Sequence, residues 1–215
     1  VIYNRGCTLG GVVITIKITA PKRGIFGISL SHYEGISDKY PKFDIDIEDA
    51  EKLDISHIVG NTVINNGTAK LVIDSSLNMK FYSGGRYLTG IYAKDMAYVT
   101  VDAGVDNDGY RKNTAYMNAA VNLSVGEHIY GLGERFTEFV KNGQSVDMWN
   151  ADGGTFTEQA YKNVPFFMSD RGYGVFVNET GKVMYEVGSE YVRKASFCVK
   201  KENISFFIIC GEDNE

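Results

Sequence analysis

The sequence is poor in proline, histidine and cysteine, each occurring 3 times in 215 residues. It also lacks any long apolar run. The longest, residues 204–210, is interrupted by Ser205 and falls far short of the ~20 residues that carry a helix across a bilayer. Cys7, Cys198 and Cys210 are odd in number, widely spaced and form no CxxC pair. That argues against a disulfide framework and for buried free thiols in a reducing compartment, so a cytoplasmic location is expected. Basic charge is also short: 22 Lys and Arg stand against 27 Asp and Glu, a formal charge of -5. Without a basic stripe to replace counterions, neither nucleic acid nor an anionic membrane surface is an expected partner. No leader is legible, and the chain begins at Val1 rather than Met, which points to a segment trimmed from something longer.

Metal and nucleotide chemistry are as thinly represented. His32, His57 and His128 lie far apart, with no ligand spacing to another metal-binding side chain. Asp106-Asn107-Asp108-Gly109 hints at a calcium loop. Setting Gly109 at the invariant glycine, however, puts Gly104 and Ala115 where oxygen ligands are needed, so a hairpin turn is the better reading. Gly131-Leu132-Gly133 is no dinucleotide fingerprint, because Phe136 stands where the third glycine belongs. No metal and no cofactor are expected.

What is abundant points to β structure. There are 14 Tyr, 12 Phe and 24 Gly, residues that suit pleated half-buried surfaces and the turns between them. Period-two alternation marks strands at residues 12–19, 25–30, 43–48, 69–73, 77–82, 87–93, 96–102, 116–123, 173–178, 183–187, 195–199 and 204–210. Turn chemistry at residues 21–24, 65–68, 83–86 and 179–182 reads as hairpin connections. Only two stretches, around Phe136, Phe139 and Val140 and at residues 157–163, could hold a helical turn. Many short strands joined by hairpin turns indicate an all-β antiparallel sandwich or barrel with few short helices, and the length favours one domain.

Residues 126–169 differ from their surroundings. Alternation is weak, and Gly, Asn, Asp and aromatics are frequent. Long irregular segments in a compact β domain usually carry function. Glu134, Glu138, Asp147, Asp152 and Glu158 could supply a carboxylate pair of the kind that cleaves glycosides, or simply be solvated loop charges. Trp149-Asn150-Ala151-Asp152-Gly153-Gly154 has the chemistry of a sugar site: an aromatic platform for C–H faces, polar edges, and glycines that let the backbone approach. Alternatively, Trp149 is a core anchor and Asp152-Gly153 a turn.

The segment also carries a resemblance. Tyr130-Gly131-Leu132-Gly133-Glu134-Arg135-Phe136 is followed by Trp149-Asn150-Ala151-Asp152-Gly153-Gly154. Then come Glu158-Gln159-Ala160-Tyr161-Lys162-Asn163, Pro165-Phe166-Phe167 and Arg171-Gly172-Tyr173-Gly174-Val175. Together these resemble the N-terminal region of glycoside hydrolase family 31, in particular its bacterial α-xylosidases. The resemblance implies a galactose-mutarotase-like supersandwich placed before a (β/α)8 barrel. In the family, two barrel Asp side chains act as nucleophile and general acid/base, with retention. None of that barrel is in this chain, so residues 1–215 are expected to be a single excised N-terminal sandwich with the barrel following Glu215. No catalytic residue is expected on the chain itself.

The resemblance assigns Asp152 to a substrate contact at the pocket rim, supported by Trp149, Asn150, Gly153 and Gly154, while Glu134 and Arg135 are structural. It further implies α-xyloside or α-glucoside substrates, the protein's own barrel as partner, and an apolar docking face with Phe166, Phe167 and Tyr161 as candidates. Homo-oligomerisation is a further expectation. Two other readings remain at this point. One is a free-standing lectin-like sandwich. The other is a mutarotase-type epimerase, which would need a His–Glu pair from His32, His57 or His128.

Overall fold

The structure is a computed structural model that describes residues 12–32, 41–45, 53–151 and 157–211. These form three antiparallel sheets. The first has the order β1 (Thr15–Lys22), β2 (Ile25–Ser31), β16 (Asn203–Cys210), β13 (Tyr173–Val177), β12 (Phe166–Ser169), β10 (Ile129–Gly131). The second runs β11 (Gln144–Met148), β14 (Val183–Val187), β15 (Lys194–Val199), β9 (Arg111–Asn122), β8 (Ala97–Val105). The third is a meander of β3 (Asp54–Ile58), β4 (Asn61–Asn66), β5 (Ala69–Ile73), β6 (Met79–Ser83) and β7 (Arg86–Ile91). Among the described residues no helix is long and apolar enough to cross a membrane.

Alternation explains which face of each strand is buried. In β16, Ile204, Phe206, Ile208 and Cys210 point inward while Ser205, Phe207 and Ile209 turn out. In β15, Ala195, Phe197 and Val199 are inward. The six-stranded sheet packs on both of the others. Phe206 meets Phe197 of the second sheet edge to face, with ring centroids 4.9 Å apart. Phe26 meets Phe81 of the third at 5.9 Å. Tyr185 completes the seam, 6.2 Å from Phe197 and 6.3 Å from Phe167. The two five-stranded sheets adjoin where β7 lies beside β9, and there the buried Thr89 hydroxyl donates to the Asn122 carbonyl at 2.8 Å. One sheet covering two is the supersandwich that the family resemblance implied.

Several expectations hold in detail. Residues 69–73 and 183–187 are strands with the expected ends. Gly67-Thr68 and Gly84-Gly85 close two-residue hairpins. The Gly84 and Gly85 φ values of 53° and 83° are those a primed turn requires. Asp106-Asn107-Asp108-Gly109 is a hairpin turn, in which the Asp106 carboxylate accepts from the Asp108 and Tyr110 amides at 3.1 and 2.9 Å.

Others are corrected. Residues 179–182 do not close a hairpin. They carry the chain from β13 in the first sheet to β14 in the second, because each strand already has other neighbours. At residues 21–24 only Arg23-Gly24 turn. Pro21 stays within β1, at the register shift between Thr19 and Lys22, where its missing N–H is tolerated. Residues 43–45 are not strand; residues 46–48 of that run lie outside the described residues. Leu77 precedes its strand with φ 62°.

Neither residues 136–140 nor 157–163 are helical. The one short helical element among the described residues is a 3-10 turn at Ala93–Asp95. Strands β3, β4, β10, β11 and β12 were not anticipated, being short or polar, and the last three lie inside the segment expected to be irregular.

Cys198 and Cys210 are free thiols, as expected; Cys7 lies outside the described residues. Burial raises the Cys198 pKa to about 11 and that of Cys210 to about 12. Because both titrate higher folded than unfolded, the stability they contribute is present below about pH 9 and is lost as pH rises toward 12. Thiol-reagent kinetics should therefore show these two cysteines nearly inert at pH 8 in the folded chain and fast in urea. The aromatic seam yields a second prediction. Phe197→Ala should cost about 3–5 kcal/mol in urea unfolding, whereas an exposed change such as Lys80→Ala should cost less than about 0.5 kcal/mol.

Candidate functional site

Residues 131–151 and 157–163 are held against each other by polar contacts. Gly131, Leu132 and Gly133 all have positive φ, at 112°, 66° and 81°. This turn buries Leu132 completely and lets its amide donate to the Phe166 carbonyl at 2.8 Å. Gly133 lies so close to residues 162–164 that a Cβ there would come within 2.1 Å of the Lys162 carbonyl oxygen. Only glycine fits both the conformation and the space.

The turn delivers Arg135 to the middle of the segment. Its guanidinium donates to the carbonyls of Leu132 at 3.1 Å, Glu158 at 3.3 Å and Asp147 at 3.4 Å, and to the Asn163 side-chain oxygen. Burial pulls the Arg135 pKa down, opposed by the nearby Glu158 and Asp147 charges. Asn163 passes the constraint on. Its side-chain amide donates to Asn150 Oδ1 at 2.8 Å and to the Ala160 carbonyl at 2.7 Å. Asn150 in turn forms a parallel bridge with Ala160, and the Ala151 amide bonds the Ala160 carbonyl at 3.0 Å. The stem leading into residue 152 is thus fixed by a fork of donors rather than by a sheet.

Trp149 stands on this stem and is 57% exposed, so the core-anchor alternative fails. Trp149 lines two grooves, of about 320 and 200 Å3, that also share Glu179 and Gly181. The larger is walled by Trp149, Gly181, Lys182 and Lys200, with Glu179 tied to Lys201 at 2.7 Å. The smaller adds Asn150, Asn163 and Phe43. An exposed indole flanked by amides, ammonium groups and a carboxylate can stack on a sugar face and bond its hydroxyls. Asp152, Gly153 and Gly154 lie outside the described residues; Trp149 and Asn150, the other two expected site residues, line the same groove.

The carboxylates of the segment show no catalytic arrangement among the described residues. Glu134 pairs with Lys162 at 3.0 Å and Asp147 with Lys182 at 2.6 Å, both solvent-exposed. Glu138 and Glu158 are also exposed. No group of three or more His, Cys, Asp or Glu side chains that could hold a metal occurs among the described residues. The three histidines serve other contacts: His32 pairs with Glu202 at 2.8 Å, His57 contacts Thr62 at 3.1 Å and His128 pairs with Asp170 at 2.9 Å.

Two buried groups here were not singled out from the sequence. Glu127 accepts from Ser169 and Tyr173 hydroxyls and from the Ser124 amide, each at 2.6 Å. Burial and the adjacent Glu127 charge push the Tyr173 pKa up. Lys141 donates to the Thr137 hydroxyl at 3.1 Å and the Glu138 carbonyl at 2.6 Å, and burial lowers its pKa. Both organise loop backbone. Nothing local in the sequence distinguishes them from surface charges; only the fold closes around them.

Fold and site together define a mutarotase-like supersandwich with an aromatic-edged groove at one end. Residues 15–186 match the family described as the glycosyl hydrolase 31 N-terminal galactose mutarotase-like domain. The chain belongs to that family. It is 39% identical to an alpha-xylosidase of Emericella nidulans over 98% of this chain and 29% of that protein. It is 37% identical to the alpha-xylosidase XylQ of Lactiplantibacillus pentosus over 98% of this chain and 26% of that protein. The chain therefore spans less than a third of the length of these relatives. In structure it resembles a GH31 dextranase of Flavobacterium johnsoniae, with a TM-score of 0.73 and 19% identity over 94% of this chain and 26% of that one. That likeness is one of fold.

The Arg135 fork carries the prediction for this site. Arg135→Ala should cost about 2 kcal/mol, the scale of hydrogen bonds from a charged donor. Arg135→Lys should recover little of it, because an ammonium cannot span the same carbonyls. Thermal melts of both variants, with limited proteolysis mapping new cuts to residues 147–163, would check this.

Proposed function

We propose that the chain is the N-terminal β-sandwich of a retaining α-glycosidase that hydrolyses terminal α-linked sugars, α-xylosides or α-glucosides. The carrying observation is similarity to two alpha-xylosidases along 98% of this chain. On this reading the catalytic (β/α)8 barrel is a separate domain following the sandwich, and the sandwich contributes no catalytic group. Cytoplasmic location, self-association of the parent protein, and independence from metal, cofactor, nucleic acid and membrane belong to the same reading.

The sandwich would have two tasks. The first is docking. The outer face of the six-stranded sheet carries an apolar patch over β12, β13 and β16: Phe166, Phe176 and Phe207 form one cross-strand row, with Phe43 packed on Phe176 at 5.5 Å, and Met168 and Ile209 flank Gly174 in the next. Phe166 lies directly on Gly174, whose missing side chain makes room for the ring. Phe136, Phe139 and Tyr161 are also exposed. A face of this kind suits permanent contact with another domain. Of the candidates named from the sequence, Phe166 and Tyr161 fit this role. Phe167 does not, because it is fully buried in the core. The second task is to hold Asp152 at the rim of the barrel pocket, where its carboxylate would accept hydrogen bonds from sugar hydroxyls. The rigid Trp149–Asn150 stem supports that role.

The test is hydrolysis of aryl α-xyloside and aryl α-glucoside by the full-length protein and by the 215-residue chain. The full-length protein should turn over and the chain should not. Asp152→Asn in the full-length protein should lower kcat/KM about tenfold to a hundredfold, the scale of one charge-assisted hydrogen bond, with an unchanged melting temperature. Turnover by the chain alone would overturn the assignment.

A further inference from the structure

The β8–β9 hairpin outgrows the sandwich. From Val99 to Val105 every residue of β8 is exposed, as are Arg111 to Asn113 of β9, so both faces of the ribbon are wet. Closer to the body, Met117 is fully buried and pairs with Tyr98, which packs against the core. The distal half is therefore a two-stranded arm. Such ribbons are marginal in water without a third strand or a covering layer.

This arm is also apolar beyond what a solvated arm needs. Val99 is 47% exposed, Val101 50%, Val105 65% and Tyr110 73%. Strand β8 closes the order of its sheet, with no neighbour beyond it among the described residues. Every second residue of an edge strand turns its N–H and C=O outward. The usual protections of an edge are missing over its regular part. Residues Tyr98–Asp102 hold no lysine, no proline and no bulge, and the register shift comes only between Asp102 and Val105.

We infer that the arm is a self-association element, in which β8 of two copies of this chain pairs antiparallel about Thr100. The inference rests on the self-association named above and gives it a place; its test does not depend on glycosidase activity. The argument is one of self-complementarity. With Thr100 on the two-fold axis, Val99 of each copy faces Val101 of the other on the outer face of the sheet, and Ala97 faces Ala103. On the opposite face Thr100 meets Thr100, a favourable cross-strand pair, and Asp102 meets Tyr98. No like charges oppose each other. A shift of the axis to Asp102 would set carboxylate against carboxylate, which disfavours that register. Antiparallel pairing lays the tip of one arm, with Val105 and Tyr110, toward the sandwich of the other copy. That accounts for apolar residues at a tip that solvent alone would not favour. The interaction is strand addition to an exposed sheet edge, with main-chain bonds supplying affinity and alternate side chains supplying register.

The test is light-scattering mass across a concentration series of the 215-residue chain, repeated on the full-length protein. A dimer mass that grows in with concentration is expected. Thr100→Lys, which sets two ammonium groups face to face on the axis, should return the monomer with a melting temperature within about 2 °C of the parent, as for an exposed substitution. Thr100→Cys should cross-link to a covalent dimer under mild oxidation, whereas Lys80→Cys, on the third sheet, should not. A monomer at every concentration overturns the inference. So does a dimer that survives Thr100→Lys, or Lys80→Cys cross-linking as readily as Thr100→Cys. If Thr100→Lys melts low, the cysteine pair still decides. The hydrolysis assay is a separate readout, so failure of the arm and failure of the glycosidase assignment are told apart.

Discussion

The fold depends on an aromatic seam between sheets. Phe197 and Tyr185 from the second sheet meet Phe206 and Phe167 from the first, with ring centroids 4.9 and 6.3 Å apart, and pack on each other at 6.2 Å. Each comes from a strand whose alternate residues face outward, so placing one ring inward fixes the register of its whole strand. Phe26 and Phe81 extend the seam to the third sheet. The first sheet thereby holds the other two in one layer, and the turns can be short because the strands are already aligned.

Beyond the seam the chain changes its means of support. Apart from β11, the described residues between Leu132 and Asn163 are not in named strands, and their backbone groups still need partners. Arg135, Asn163 and Asn150 supply them as a relay of side-chain donors and acceptors. Glu127 and Lys141 do the same around β10. A polar scaffold of this kind costs more to bury than an apolar one, but it fixes a loop stem in a single geometry. It also leaves Trp149 outside the core, where a packed hydrophobic loop would have drawn it in.

The apolar patch on the six-stranded sheet and the β8–β9 arm differ in kind. The Phe166–Phe176–Phe207 patch spans three strands of the six-stranded sheet and lies over a packed layer, which suits a permanent domain contact. The β8–β9 arm is narrow, two-sided and bounded by an open edge, which suits strand pairing. Together they describe a domain whose stability is internal but whose surface is incomplete alone.

Much of this was legible in the sequence, for one reason: period-two patterning is local. The all-β class, most of the long strands and the Gly84-Gly85 turn follow from neighbouring residues alone. So does the unusual character of residues 126–169, whose quoted motifs also carry the family. Tertiary structure alone decided the rest. The 179–182 turn carries the same residues as a hairpin, and only the pairings of β13 and β14 make it a crossing between sheets. Phe166 and Phe167 are adjacent and chemically identical, yet the pleat of β12 sends one outward and the other into the core. Arg135 and Asn163 are 28 residues apart and meet only because the Gly131-Leu132-Gly133 turn brings them together. Sequence fixes which residues alternate; which face is buried, and which distant donors converge, depends on what the other strands place opposite them.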